Sequence, residues 1–328
     1  MFKKKIKLYY KKSVREFFKL IYGKVLVPKR LTKIPIQISI LNNIKFKTFS
    51  GKKYKLYSID KARIYTDNNE NVAIIKNNLI VPKASFQQLS GFLKKEKFNS
   101  TIHYGTPSFL KKIHGTVLNL VQGGSGNNYF HFIFDIIPKI ILAKNCLKDF
   151  KEIDFFYVSN LKKWQIRIFK MIDIKKEKLI DSEKNNHIYA DKIIALDHPW
   201  YYKGYIQHQL RKIPQWVINQ NRKIFLNNSK KFKCKNKIFL DRSNSNYNHC
   251  QIENIQDIKD LIKKNNFGIY KPEILSFEKQ IYLFKNASVI LGAHGAAFTN
   301  IIFCKPKTKI IELIPSDHPN RKCERICK

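Results

Sequence analysis

The turn Gly292-Ala293-His294-Gly295-Ala296-Ala297 follows the apolar run Ser288-Val289-Ile290-Leu291 and opens a short helical stretch over 295–303. The first N–H groups of a helix lack intrahelical partners and carry partial positive charge, which suits an anion such as a diphosphate. Gly295, Ala296 and Ala297 are small enough for a ligand to approach that backbone, and His294 can donate to a phosphate oxygen. The same residues also read as a tight strand–helix turn around a structural histidine. Asp241-Arg242-Ser243 ends another apolar run, Lys237-Ile238-Phe239-Leu240. A guanidinium there can clamp a diphosphate through two bonds, or form a surface ion pair with Asp241. Glu312 lies near the end of Lys309-Ile310-Ile311-Glu312-Leu313, where an acid can accept from ribose hydroxyls or simply be exposed. The last candidate pair lies in Asn128-Tyr129-Phe130-His131-Phe132-Ile133-Phe134-Asp135. His131 and Asp135 stand at i and i+4 on one otherwise apolar helix face. They fit a general base with its orienting carboxylate, or a core histidine satisfied by that same Asp.

Other chemistries lack their residues. The glycine-rich turn 123–128 is followed by no Gly-Lys-Ser/Thr and lacks the third glycine of a dinucleotide fingerprint. No Asp-x-Asp offers a carboxylate pair for a divalent ion on a sugar diphosphate. Neither a metal nor another cofactor is therefore expected. Protein cations and a helix dipole are expected to meet the charge of a leaving group.

These residues need elements to hold them. Four strand-like runs, 237–240, 267–270, 288–291 and 309–313, alternate with helical patterns over 252–264, 276–286 and 295–303, and Ser276 is a plausible cap. That alternation predicts βαβ units with a parallel sheet, whose ligands bind beyond the carboxyl ends of the strands. Upstream, a strand over 116–121, the glycine turn, a helix from Tyr129 to Leu147, a strand over 155–158, a helix over 161–172 and a strand over 192–196 predict another α/β region. Residues 31–110 read as short strands and turns, with an edge strand over Ile34–Ile40 marked by Pro35. A helical stretch from Ile206 to Leu226, kinked at Pro214, is expected to bridge the halves, and the lysine-rich link 227–236 to mark the boundary. Residues 1–30 form a basic, roughly helical segment closed by Pro28. It fits a helix lying on an anionic leaflet, or an ordinary helix packed on its own domain.

Composition narrows the classes. The formal charge is +39, but only nine of the 63 basic residues are Arg, and lysines occur throughout the chain. Arg is the residue favoured for bidentate reading of bases and phosphates, so no nucleic-acid partner is expected. An anionic membrane surface or anionic sugar donor gains from the same charge. No apolar run is long enough to span a bilayer, and no signal peptide is recognised. The six cysteines are scattered and read as reduced thiols.

Three blocks, in this order and spacing, resemble glycosyltransferase family 61, in the bacterial branch described as capsular polysaccharide biosynthesis proteins. They are Asn128 to Pro138; Phe239-Leu240-Asp241-Arg242-Ser243; and Leu275 to Gln280 through Gly292 to Ala297 to Ile311-Glu312-Leu313-Ile314-Pro315. Phe132 stands where the family usually has Trp. The resemblance implies a GT-B-like α/β fold of two Rossmann-like domains facing across a cleft, and inverting transfer from a UDP-sugar to a glycan acceptor that can be lipid-linked. It places Arg242, Ser243, His294, Gly295, Ala296, Ala297 and Glu312 on the donor side, and His131 and Asp135 on the facing wall. Relatives continue with another helix and strand, so the chain is expected to be shortened at its C-terminal end.

The expected organisation is a basic segment over 1–30, an acceptor-side domain over 31–226 and a nucleotide-sugar domain over 227–328. The expected place is the cytoplasm, with the inner face of the cytoplasmic membrane as a peripheral site and capsular polysaccharide or lipopolysaccharide of the cell envelope as the product. The alternatives are a non-catalytic nucleotide- or glycan-binding module and a basic nucleic-acid-binding protein.

Overall fold

The structure, a computed structural model, describes residues 2–29, 34–43, 45–68, 71–122, 126, 128–243, 250–316 and 322–327, with side chains from residue 6 onward. The chain divides into two compact units, Met1–Gln209 and Leu210–Lys328. This division falls ahead of the 226/227 boundary expected from the lysine-rich link. The helix Gln215–Phe225 belongs to the second unit. There Phe225 packs edge-on against Phe277, with ring centroids 5.1 Å apart, and Arg222 donates to the carbonyls of Ile302 and Cys304. Pro214 does not kink one long helix. It is the N-cap of Gln215–Phe225, after separate short turns over Ile206–Gln209 and Leu210–Lys212. Proline lacks an N–H, and a helix start is where none is needed.

The first unit begins with a helix, Phe2–Tyr22. Gly23 stops it, ahead of the expected Pro28: its φ of 77° lies in the left-handed region and its N–H donates to the Lys19 carbonyl at 2.9 Å. Among the described residues eleven strands follow: β1 (Gln37–Ile40), β2 (Lys55–Thr66), β3 (Asn71–Lys76), β4 (Leu79–Ile80), β5 (Phe86–Leu89), β6 (Phe92–Leu93), β7 (Lys111–Asn119), β8 (Phe155–Val158), β9 (Leu179–Asp181), β10 (His187–Leu196) and β11 (Gly204–Tyr205). They form one sheet in the order β11-β6-β5-β3-β2-β10-β7-β8-β9, with β1 on β2 and β4 on β3. Among the described residues the β10–β7, β7–β8 and β8–β9 pairs are parallel, and the other pairs, β10–β2 included, are antiparallel. The sheet is thus mixed, unlike the all-parallel arrangement of a Rossmann-like domain. Residues 55–93 turn back through short connections, and short connections allow only antiparallel neighbours.

In the second unit β12 (Lys237–Leu240), β13 (Gly268–Tyr270), β14 (Val289–Ala293) and β15 (Lys309–Leu313) form a parallel sheet in the order β13-β12-β14-β15. Ile238, Phe239 and Leu240 are buried, as a strand covered on both faces requires. Helices Ile255–Lys264 and Phe277–Lys285 connect the strands. In the latter Ser276 accepts the Lys279 N–H, and Phe277, Ile281 and Phe284 bury one face.

Both sheets contain a point where the strand order reverses. In the first unit it lies between β7 and β10, and in the second between β12 and β14. At such a point the connections leave in opposite directions and open a crevice at the carboxyl ends.

Candidate active site

In the first unit the helix after β7 starts at Asn128, whose side chain accepts the Phe130 N–H at 2.9 Å. Among the residues of the preceding glycine turn, 123–125 and 127 lie outside the described residues. The helix is regular over Tyr129–His131, widens to a π turn over Phe132–Ile136 and is regular again over Ile137–Cys146. Pro138 supplies the cause, because it has no N–H for the Phe134 carbonyl. The Trp200 indole N–H reaches that carbonyl instead, at 3.2 Å. π turns of this kind recur at functional sites.

The widened turn carries Asp135, which is fully buried. His131 Nδ1 lies 2.7 Å from Asp135 Oδ2, Gln122 Nε2 donates to the same oxygen at 2.7 Å, and Trp200 Nε1 donates to Oδ1 at 2.7 Å. His198 Nε2 is 3.6 Å from Oδ2. Burial by itself raises the Asp135 pKa. The charges and hydrogen bonds of His131 and His198 outweigh it and hold the carboxyl well below the usual range. His131 turns Nδ1 towards this carboxylate, so Nε2 is the ring nitrogen on the side away from it. His131 remains 16% exposed, so solvent or a substrate hydroxyl can reach the ring.

His198 is held by two backbone N–H groups, from Trp200 at 3.2 Å and Tyr201 at 2.9 Å, both onto Nδ1. Gln122 follows β7, whereas His198 and Trp200 follow β10. The parallel pairing of these strands therefore assembles the cluster at the reversal point. Lys139, one turn beyond Asp135, is 5% exposed, and burial lowers its pKa to about 8 despite the attraction of Asp135.

Lys139 makes the first prediction. Unfolded, a lysine keeps its proton to about pH 10.4. Between about pH 8 and 10 the unfolded chain therefore binds more protons than the fold, and stability rises with pH across that window. Below it the whole cost of the buried charge is carried, which at 1.36 kcal/mol per pKa unit is up to about 3 kcal/mol. Lys139→Met should be the more stable protein at pH 7 by urea unfolding, with the difference closing towards pH 10. A difference that does not change with pH would contradict this.

In the second unit an open cavity of about 170 Å³ lies at the carboxyl end of β12, lined in part by Leu240, Asp241, Arg242, Ser243 and Ala293. Arg242 donates to the His294 carbonyl. A Cβ on Gly295 would stand 2.9 Å from Arg242 Cζ, so glycine is what admits the guanidinium. Lys322, buried in the helix Lys322–Cys327, donates to the Gly295 carbonyl at 2.8 Å. Ala296 and Ala297 open a 3-10 helix, Ala296–Phe303. Asp241 is paired with Lys259 at 2.9 Å and also accepts the N–H and hydroxyl of Ser243. Ser243 thus serves Asp241.

Glu312 departs from its expected place on the open edge. It is 8% exposed and lies 2.6 Å from His294 Nδ1, with the Cys323 thiol as a second donor. Burial raises its pKa, but these two hydrogen bonds outweigh it and keep the carboxyl below its ordinary range. Its carboxylate thus holds the His294 ring. Arg242, His294, Gly295 and Glu312 are therefore brought together, with Lys322 added.

The family model described as Glycosyltransferase 61 matches residues 129–311, more than half of the chain. The chain belongs to glycosyltransferase family 61. The match begins at the helix of His131 and Asp135 and ends one residue short of Glu312. No curated protein matches this transferase in sequence. One solved structure that resembles it is titled as the crystal structure of the bacterial iron-containing dodecameric glycosyltransferase TibC from enterotoxigenic E. coli H10407. The TM-score is 0.31 at 8% identity, over 88% of this chain and 80% of that one, a likeness too low to carry weight.

Residue types and spacing do not single out Gln122, His198, Trp200 or Lys322. Asp197-His198-Pro199-Trp200 carries one usable signal, a His and a Trp directly after a buried strand. Lys322 carries none. Among the described residues no group of three or more His, Cys, Asp or Glu side chains is arranged to hold a metal ion.

Proposed function

We propose that this family 61 transferase moves a sugar from a UDP-sugar to a glycan acceptor with inversion, without a divalent ion, in the assembly of a cell-envelope polysaccharide such as a capsule. The observation that carries the donor assignment is the convergence of Arg242, His294 and Lys322 on the turn beyond β14, at the reversal point of a parallel sheet. Departure of UDP leaves negative charge on the diphosphate. Arg242 and the first N–H groups of Ala296–Phe303 are preorganised donors for it. Lys322 and Glu312 act at one remove: Lys322 holds the Gly295 carbonyl, and Glu312 holds the His294 ring. The positive charge of Arg242 and Lys322 fills the role that a divalent ion would take.

The base in this reading is His131. It takes the acceptor hydroxyl proton on Nε2 as that oxygen bonds to the anomeric carbon. The bond from that carbon to the diphosphate breaks with its electron pair on the leaving oxygen. Asp135 stabilises the imidazolium formed.

Gly295→Ala tests the donor half. The new methyl meets the far end of a flexible Arg242 side chain, so thermal stability should stay near wild type. Displacing the guanidinium should weaken UDP binding about tenfold, or 1.4 kcal/mol. Calorimetry with UDP on wild type, Gly295→Ala and Arg242→Ala measures this. Unchanged affinity in both variants would remove Arg242 from the donor site. UDP binding with no release of UDP from any UDP-sugar would make the chain a binding module.

A further inference from the structure

The helix Phe2–Tyr22 is fastened to the first unit by one face only. Arg15 stacks over the Tyr104 ring at 3.7 Å. Phe18 is buried against Phe109, with ring centroids 5.0 Å apart. The Lys19 stem lies against Gly105, and the Tyr22 hydroxyl accepts the Leu110 N–H at 2.9 Å. Positions 15, 18, 19 and 22 follow the helical repeat, so they define a single stripe.

On the opposite face the same repeat lines up Ile6, Tyr9, Tyr10, Phe17, Leu20 and Ile21, which are 53, 71, 70, 51, 87 and 49% exposed. Six large apolar side chains in one stripe, open to solvent, cost free energy unless something covers them. The helix has eight basic residues and one acidic, Glu16, which is paired with Lys19 at 2.8 Å. Lysines also flank the apolar stripe, among them Lys7 and Lys12. A second copy laid against this face would bring lysines against lysines. A sheet of anionic headgroups over hydrocarbon meets both the charge and the apolar stripe. Among the described residues no helix is long and apolar enough to cross a membrane, so the helix would lie in the interface.

We propose that Phe2–Tyr22 docks the protein on a bilayer containing anionic phospholipid, inserting the stripe from Ile6 to Ile21 with its lysines among the phosphates. The anchored face, from Arg15 to Tyr22, makes the first unit follow the helix to the surface. This surface is independent of the donor and base assignments, and neither failure implies the other.

The test is co-sedimentation of the full chain with vesicles of phosphatidylcholine alone, or with about one-quarter phosphatidylglycerol. Wild type should partition at least about tenfold better onto the phosphatidylglycerol vesicles, and raising salt from about 50 to about 500 mM should weaken this. Tyr9→Gln/Leu20→Gln changes only exposed side chains and should keep the melting temperature while losing about tenfold in vesicle binding. Equal binding by variant and wild type, or no preference for phosphatidylglycerol, would overturn the proposal. So would a dimer of the lipid-free wild type, seen in sedimentation velocity and abolished in the double variant.

Discussion

His131→Gln should lower the rate of sugar transfer by about 10²–10⁴ while leaving UDP affinity within about twofold. The asymmetry follows from where the residue sits. His131 is in the first unit, whereas Arg242, His294 and Lys322 are in the second. Glutamine keeps the size of the ring and can still hydrogen-bond to Asp135, but it cannot take up a proton. A loss confined to kcat, with normal binding and melting, therefore separates a base from a structural histidine. Transfer at the wild-type rate would remove His131 from the mechanism. A matching loss in UDP affinity would also count against the assignment, because a base for the acceptor has no part in binding free UDP.

Asp135→Ala should cost about 3–5 kcal/mol of unfolding free energy at pH 7, the usual result of removing one member of a buried charged network. Three donors, from His131, Gln122 and Trp200, lose their acceptor at once, and Lys139 keeps a buried ammonium without its counter-charge. Lost hydrogen bonds to a charged group account for about 1.5–3 kcal/mol each before any relaxation, so the figure already assumes that water enters. The pH dependence checks the cause. The Asp135 pKa is lowered in the fold, so its contribution is fully present above the unfolded carboxyl value of about 3.9. It is lost as pH falls below that value. Urea unfolding at neutral pH and again near pH 3 should show the gap between wild type and variant narrowing. A cost under about 1 kcal/mol at pH 7 would mean that the network contributes little to the fold.

The second unit was largely legible in the sequence because its signals are local. Each strand from β12 to β15 is a short apolar run, and Ser276 caps its helix as its type suggests. Pairing in a parallel sheet of this kind follows chain order with one reversal, so alternation alone predicts it. The first unit was less so. β2 contains Asp60, Lys61 and Arg63 within a single strand, and β4, β6 and β11 are two residues long. Runs like these become strands through distant partners. The same distinction governs the site. His131 and Asp135 are one helical turn apart and could be paired by counting. Trp200 and His198 reach Asp135 only because β10 lies beside β7, which no local pattern encodes. For Glu312 too, the position on a strand was readable, but the contacts that its carboxylate makes with His294 and Cys323 were not.

The position of β10 also bears on how the chain is made. It lies between β2 and β7, both of which precede it in the sequence. During synthesis β2 waits for the stretch 187–196, which at about 5–20 residues per second is on the order of ten seconds. Until then β2 and β7 each present an unpaired edge, the surface on which nascent chains associate. β10 then enters as a wedge that closes both edges in one step and brings His198 and Trp200 to Asp135. The joining of β2 to β7 and the assembly of the His131 cluster thus both wait on β10, and a ribosome stalled before residue 187 would hold an open sheet without His198 and Trp200 beside Asp135.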